Sequence, residues 1–461
     1  MAFLADLRTV LRSRDFRRLF GTRLLAQTSD GIFQVALASY VFFSPERQPS
    51  AQAVAAAFAA LLLPYSLVGP FTGVLLDRWR RRQVLVWANV IRAGMVLGVA
   101  GLVVAGAEGW PFYASALAVL SVNRFFLAGL SAALPHVVGA AELVMANSVS
   151  TTSGTIAAVT GGSIGYLARL ALGESATGTA GILVIAALFY ALSALVATRM
   201  AKDRLGPEHL AAGAGAAAGR GSSKADGGGL RAELAAVAVG MVQGARHVRE
   251  RAAAGRALGT IAAHRFFYGI STIMMILLYR NYFNDPADAE AGLAGLATVV
   301  VASGLGYLTA AVITPGGARL LTKPGWIVAN FGLAALVQAT LAATFREWLI
   351  VLAAYFLGVV AQGVKICVDT IVQSTVDDAY RGRVFSFYDV LYNVSFVAAA
   401  AFAALLLPSE GKSHLVIGVV AGGYLLAGAG YGLAELRSHR PPGANPVGGR
   451  GGSRAAPATT P

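Results

Sequence analysis

Long apolar stretches recur along almost the whole chain, broken by short polar loops, and this pattern fixes the solvent in which the chain folds. A helix needs about 20 mostly apolar residues to cross the hydrocarbon core of a bilayer. Twelve stretches have that character, at roughly 17–41, 52–76, 83–105, 112–134, 145–170, 179–199, 257–280, 292–315, 325–344, 347–369, 384–407 and 414–434. In lipid each backbone N–H and C=O must be satisfied within its own segment, so such stretches are helical. Of the 461 residues, 56% are hydrophobic and 13% charged, about half the charged share of a water-soluble domain. The expectation is an all-α polytopic membrane protein with twelve transmembrane helices in two six-helix halves.

A net charge of +14 raises the question of nucleic acid, and the placement of the charge answers it. With a cytoplasmic N-terminus, the inside segments hold Arg8, Arg12, Arg14, Arg17 and Arg18, then Arg78, Arg80, Arg81 and Arg82. Further basic residues crowd the stretch from Arg199 to Arg256, and the tail adds more. The outside segments hold only Arg47, Arg169, Arg280, Arg346 and Lys412. Lys and Arg resist translocation, so this asymmetry records topology rather than a polyanionic partner. It predicts a multi-pass protein of the cell membrane with both termini cytoplasmic and no nucleic-acid role. The basic start runs into a span-length apolar segment, which does not read as a cleavable signal peptide. The single cysteine, Cys367, falls in a predicted span and leaves no intramolecular disulfide to form.

The longest interruption divides the spans six and six. The expected organisation is a cytoplasmic segment at 1–16, a first half at 17–199, a linker at 200–256, a second half at 257–434 and a disordered tail at 435–461. The run from Ala211 to Gly229 is rich in Ala, Gly and Ser and reads as flexible linker. Leu230 to Arg256 lacks Pro and carries Arg246, Arg249 and Arg251, which fits either a helix along the membrane surface or an extension of span seven. The halves echo one another. Arg23 and Arg265 are 242 residues apart, and Arg124 and Lys365 are 241 apart. Two parallel six-helix repeats around a central site is an arrangement that transporters use.

The most specific segment ends span two: Gly73-Val-Leu-Leu-Asp77-Arg78-Trp-Arg80-Arg81-Arg82. Here the sequence resembles the major facilitator superfamily, whose loop between helices two and three carries Gly, three residues, Asp-Arg, one residue, Gly, then two basic residues. Gly73, Asp77, Arg78, Arg81 and Arg82 match, while Arg80 replaces the second glycine. The resemblance spans residues 15–435. It implies that this loop is a gate that latches the outward-facing state. Asn123-Arg124, Leu134-Pro135, Ala146-Asn147 and Arg381-Gly382-Arg383 further resemble the twelve-span drug–proton antiporter branch, with macrolide-efflux proteins as the nearest likeness. That likeness implies a part for Arg124 in proton coupling.

Among single residues Asp30 carries most weight. It lies near the middle of span one, in Gln27-Thr28-Ser29-Asp30-Gly31, where a carboxylate is costly unless a cavity or partner receives it. It is the expected proton-coupling site, with Gln27, Arg92 and Arg124 beside the substrate cavity; a structural aspartate closing a helix contact is the plain alternative. Arg23, Arg92, Arg265 and Lys365 lie toward the cytoplasmic ends of their spans, where snorkelling would explain them. Alternatively Arg92, Arg124 and Lys365 make the cavity positive, with Arg265, Asp369 and Asp389 as further second-half candidates. His264, beside Arg265, reads as a helix-end residue. Span five carries Gly154, Gly161, Gly162 and Gly165, which permit close helix approach and bending. Gly161-Gly-Ser163-Ile-Gly165 also fits a hydrolase nucleophile pattern, but that pattern has meaning only on a strand-to-helix turn.

No zinc spacing or phosphate-binding loop appears. The expected function is therefore not enzymatic and needs no cofactor or metal. It is secondary active export of a small, largely apolar organic molecule by proton antiport, the chain working as a monomer in the bilayer. The alternatives are a transporter of an organic anion, sugar derivative or lysolipid, and a non-transporting membrane sensor on a transporter fold.

Overall fold

The computed structural model describes residues 8–37, 50–56, 62, 79–106, 110–173, 175–201, 205–206, 230–285, 289–340 and 342–438. The described residues are helical, with no strand among them. The first half contributes α1 (Arg14–Leu37), α2 (Arg81–Val104), α3 (Trp110–Ala133), α4 (Leu143–Leu172) and α5 (Ala176–Thr198). The linker supplies α6 (Leu230–Glu250). The second half follows as α7 (Ala252–Leu277), α8 (Ala289–Leu320), α9 (Thr322–Thr340), α10 (Glu347–Thr375), α11 (Asp378–Leu406) and α12 (His414–Ser438). Among the described residues, ten helices are long and apolar enough to cross a membrane. The sequence's span one is α1, and its span two, 52–76, lies mostly outside the described residues.

Packing repeats between the halves. α1 lies on α4, α2 on α5 and α2 on α3; in the second half α7 lies on α11, α9 on α12 and α9 on α10. One buried cluster, built around Ile261, Phe331, Leu357 and Tyr424, fills the second half. Two smaller clusters fill the first, around Phe126 and Leu130 and around Phe33 and Tyr190.

Two crossings set how closely these helices approach. A Cβ on Gly161 of α4 would strike the Thr28 carbonyl of α1, and one on Gly31 of α1 would strike the Ala158 carbonyl of α4. The same device recurs where α8 crosses α10: Gly306 faces the Tyr355 carbonyl and Gly358 faces that of Ser303. Lipid supplies no hydrophobic drive between helices, so backbone contact of this kind holds them together by dispersion. Gly165 likewise meets Ile32. α4 itself runs unbroken from Leu143 to Leu172, so these glycines sit at packing positions within a continuous helix.

α6 is a helix, as the absence of Pro predicts, and it docks onto the start of α11. Arg251, just past its end, donates to both carboxylate oxygens of Asp377 at 2.9 and 2.7 Å. The His247 ring stacks on Tyr380 with centroids 4.4 Å apart.

Replacing Gly161 by Val should destabilise the fold by about 1–3 kcal/mol through overpacking of the α1–α4 crossing. Gly98, whose Cβ direction is open, should accept Ala with no loss. Thermal unfolding of the detergent-solubilised variants measures both.

Candidate functional site

Three groups of polar residues lie inside this apolar bundle, at different places relative to the two halves.

The first is wholly within the first half. Asp30 on α1 is 4% exposed and Arg92 on α2 is fully buried. Arg92 Nη1 donates to Asp30 Oδ1 at 3.0 Å, and the Tyr190 hydroxyl of α5 donates to the same oxygen at 2.5 Å. Arg92 also donates to Asn123 Oδ1 at 2.9 Å on α3 and to the Asn89 side-chain carbonyl. The guanidinium lies between two rings, 4.7 Å from Phe126 and 4.3 Å from Tyr190. Snorkelling therefore does not explain Arg92; a counter-ion does. A charge of either sign is expensive in lipid, and here each is met by its opposite. Neither Asp30 nor Arg92 is among the residues that border the two cavities described below. Gln27, one turn earlier on α1, keeps a buried Oε1 with no hydrogen-bond donor.

The second group seals one face of the bundle, where α2, α4 and α11 begin and α3 and α10 end. Arg81 is fully buried, and its Nη1 reaches Asp378 Oδ1 at 2.8 Å and His136 Nε2 at 2.7 Å. His136 Nε2 lies 2.8 Å from the same Asp378 oxygen, and Arg381 Nη1 donates to it at 2.7 Å. Polar contacts continue inward across the interface. Asn147 donates to Gln373 Oε1 at 2.6 Å, Gln373 donates to the Ser131 carbonyl at 3.1 Å, and Gln362 donates to Thr151 and Thr152, each at 2.7 Å. Arg82 instead turns outward to the Thr198 carbonyl at 2.6 Å. Of the expected gating loop, Gly73, Asp77 and Arg78 lie outside the described residues.

The third group lines space between the halves. A cavity of about 110 Å³ is bordered by Arg23, Arg124, Lys365, Asp369, Asp389 and Tyr392, among others. Lys365 Nζ donates to Asp369 Oδ2 at 2.8 Å. Arg124 and Asp389 approach to 3.8 Å across the interface. Arg23 Nη1 donates to Ser150 Oγ at 3.2 Å and lies over Gly154, which leaves room for it; Gly162 borders Gly31 on the far side of the same helix pair. The Arg265 guanidinium lies 4.3 Å from the rings of both Tyr392 and Phe396. Farther from the sealed face is a larger cavity of about 410 Å³, lined mainly by apolar residues of α4, α7, α8 and α10.

His264 is not a helix-end residue. It lies midway along α7, 2% exposed, among Tyr268, Phe331 and Tyr424, because the helix begins at Ala252 rather than 257. Sequence reasoning assigned no site role to His136, Asp378, Asn147, Gln362 or Gln373. Asp378 had a signal: an acidic residue in a first helical turn, where the helix dipole favours it. The uncharged three had none, since an isolated amide in a helix predicts no partner. Among the described residues, no group of His, Cys, Asp or Glu is arranged to hold a metal ion.

The Major Facilitator Superfamily model matches residues 19–400. An uncharacterized MFS-type transporter of Mycobacterium tuberculosis is 36% identical over 433 residues, covering 94% of this chain and 92% of the relative. Its counterpart in Mycobacterium bovis matches to the same extent. Among solved structures, a bacterial homologue of the iron transporter ferroportin in an outward-facing state is similar at TM-score 0.63 and 16% identity, covering 92% of this chain and 100% of that one. The human organic anion transporter MFSD10 is similar at TM-score 0.60 and 13% identity, covering 90% and 99%. The E. coli fucose:proton symporter gives 0.59 and 11%, with coverage of 90% and 98%. At these identities the likeness is of fold.

The buried Asp30–Arg92 pair predicts an asymmetry. Arg92→Met leaves an unpaired carboxylate and should cost about 3–5 kcal/mol. Asp30→Asn combined with Arg92→Gln should cost less than Arg92→Met alone. Unfolding of the three proteins in one detergent decides it; a double variant as unstable as Arg92→Met would show that the pairing is not what the fold requires.

Proposed function

The chain belongs to the major facilitator superfamily, and from that membership we propose that this transporter exports a small, largely apolar organic molecule from the cell in exchange for protons. The observation that supports this is the asymmetry between the two ends of the inter-half space. One end is closed by buried ion pairs and amide contacts, and the cavities lie behind that closure. A substrate held there is released by rocking one half against the other around it.

The direction of the cycle follows from charge. The sealed face carries Arg81, Arg82, Arg251, Arg319, Lys323, Arg381 and Arg383, the basic side that the positive-inside rule assigns to the cytoplasm. In that orientation, at the cell membrane with both termini inside, the protein is closed to the cytoplasm. Arg81 and His136 of the first half, gathered on Asp378 of the second, form the latch of this state.

Asp30 is the coupling carboxylate in this mechanism. It is joined through Arg92 to Asn123, the residue before Arg124, and Arg124 faces Asp389 across the interface. Proton uptake at Asp30 releases Arg92 from its strongest partner. The change passes along α3 to the pair that the halves share. A proton drives the cycle only to the extent that it binds one arrangement better than the other, and this chain of contacts gives it the means. Such antiport is the drug-efflux mode, carried out by a single copy of the chain.

Two measurements test the proposal. In pH-loaded proteoliposomes, wild-type protein should move protons when challenged with a substrate from a chemically diverse set, and Asp30→Asn should lose pH-driven exchange while keeping downhill substrate movement. Proton-driven exchange retained by Asp30→Asn would remove Asp30 from the mechanism. Separately, Asp378→Asn should loosen the latch. A cysteine placed at Ser131, with Cys367→Ser, should then react several-fold faster with a maleimide supplied from the cytoplasmic side.

A further inference from the structure

The 410 Å³ cavity is unlike the charged one next to it, and the difference bears on what the protein carries. Its volume falls in the range of small-molecule sites, roughly 300–1,000 Å³. Its wall includes Val159 of α4, Met275 and Ile276 of α7, and Leu296, Val299 and Val300 of α8. Two of these residues are also strongly exposed, Val159 at 64% and Val300 at 61%, so the cavity is open where α4 and α8 meet. Apolar residues at the mid-height of a spanning helix that are exposed to this degree face lipid. α4 and α8 are also the two least buried of the ten candidate spans. The cavity therefore has a rim on the lipid-facing surface, between α4 and α8.

The two cavities are neighbours. Thr151 lines the charged one and Thr155, one turn along α4, lines the apolar one. Tyr392 borders the first and Tyr268 the second, and the Arg265 guanidinium lies 4.3 Å from one ring and 5.8 Å from the other. Around the charged end stand four cations, Arg23, Arg124, Arg265 and Lys365, against the carboxylates Asp369 and Asp389. Each carboxylate has a cation beside it, and among the described residues lining this end the cations outnumber the carboxylates. In a low-dielectric interior, uncompensated positive charge favours an anion strongly.

We infer that these two cavities form one binding site for a membrane-dissolved, single-chain amphiphile with an anionic head group, which enters sideways from the bilayer between α4 and α8. Its chain occupies the apolar cavity and its head is drawn to Lys365, Arg124 and Arg265. The inference rests on the transport proposal for the use of the site, but binding can be read without flux. It names the substrate class as the membrane's own solute, with an acidic group at one end.

The test is equilibrium binding to the full chain in nanodiscs, with radiolabelled dodecyl phosphate as probe and dodecyltrimethylammonium and butyl phosphate as competitors. Dodecyl phosphate should bind saturably, and dodecyltrimethylammonium should compete poorly. Lys365→Gln and Arg124→Gln should each weaken binding by about tenfold. At the rim, Val159→Trp and Val300→Trp fill space on the lipid side and so spare the packed interior. Each should lower the preference for dodecyl over butyl phosphate by about tenfold, while Val159→Ala retains it. Equal competition by the dodecyl cation overturns the anionic head. Butyl phosphate binding as tightly as dodecyl phosphate overturns the amphiphile, in favour of a small anion from water. Rim variants that leave the preference intact overturn the lateral entry. Binding without exchange in proteoliposomes would uphold the site and sink the transport proposal; exchange of other compounds without dodecyl phosphate binding would do the reverse.

Discussion

A charge inside a bilayer has no water to turn to, so its counter-charge must be built into the protein. That requirement organises this structure more than any single helix does. Asp30 and Arg92 meet it within the first half, with Tyr190, Asn123 and Asn89 adding further hydrogen bonds. Arg256 and Glu435 meet it within the second, at 2.8 Å. Arg81 meets it across the interface at Asp378, which also holds Arg381 of its own half, and Arg124 and Asp389 approach across it. The first kind of pair holds each half together as a unit. The second kind is available only when the halves are pressed together at one end. The same electrostatic demand thus produces pairs within a half and pairs between the halves, according to which helices carry the partners.

Glycine contributes the other part of this division. Backbone contact at the α1–α4 and α8–α10 crossings fixes helices within a half at a distance that larger residues would prevent. Across the interface the contacts are instead hydrogen bonds of Asn147, Gln362 and Gln373, which water can replace when the halves part.

Much of this was legible in the sequence, and the remainder has a physical reason for being hidden. Span positions followed from hydrophobic length, and the six-and-six division followed from a run of Ala, Gly and Ser too polar to cross a membrane. Asp30 stood out because a lone carboxylate in an apolar stretch is conspicuous. Arg92 stood beside it as a cavity candidate but not as its partner, because it also looks like any basic residue near a span end; what distinguishes it is a pairing across 62 positions of chain. Lys365 and Asp369 are four residues apart on α10, a spacing readable on any helix. Asn147 and Gln373 are 226 apart, and only the docking of the halves brings them together. Local periodicity reports which face of a helix is apolar. It does not report which helix will cover it.

The latch has one further property. His136 and Asp378 touch, and they are 242 positions apart, the spacing that separates Arg23 from Arg265. Ser131 and Gln373, also in contact, share it. Residues that occupy equivalent places in two repeats meet each other only on the rotation axis that relates the repeats. Were the two halves identical copies, such an axial position would carry the same side chain twice, and two carboxylates there would repel rather than close. An imidazole against a carboxylate on that axis exists only because each copy is free to change without the other, as two identical subunits of a dimer are not. Divergence of the two halves in sequence is therefore a condition of this contact.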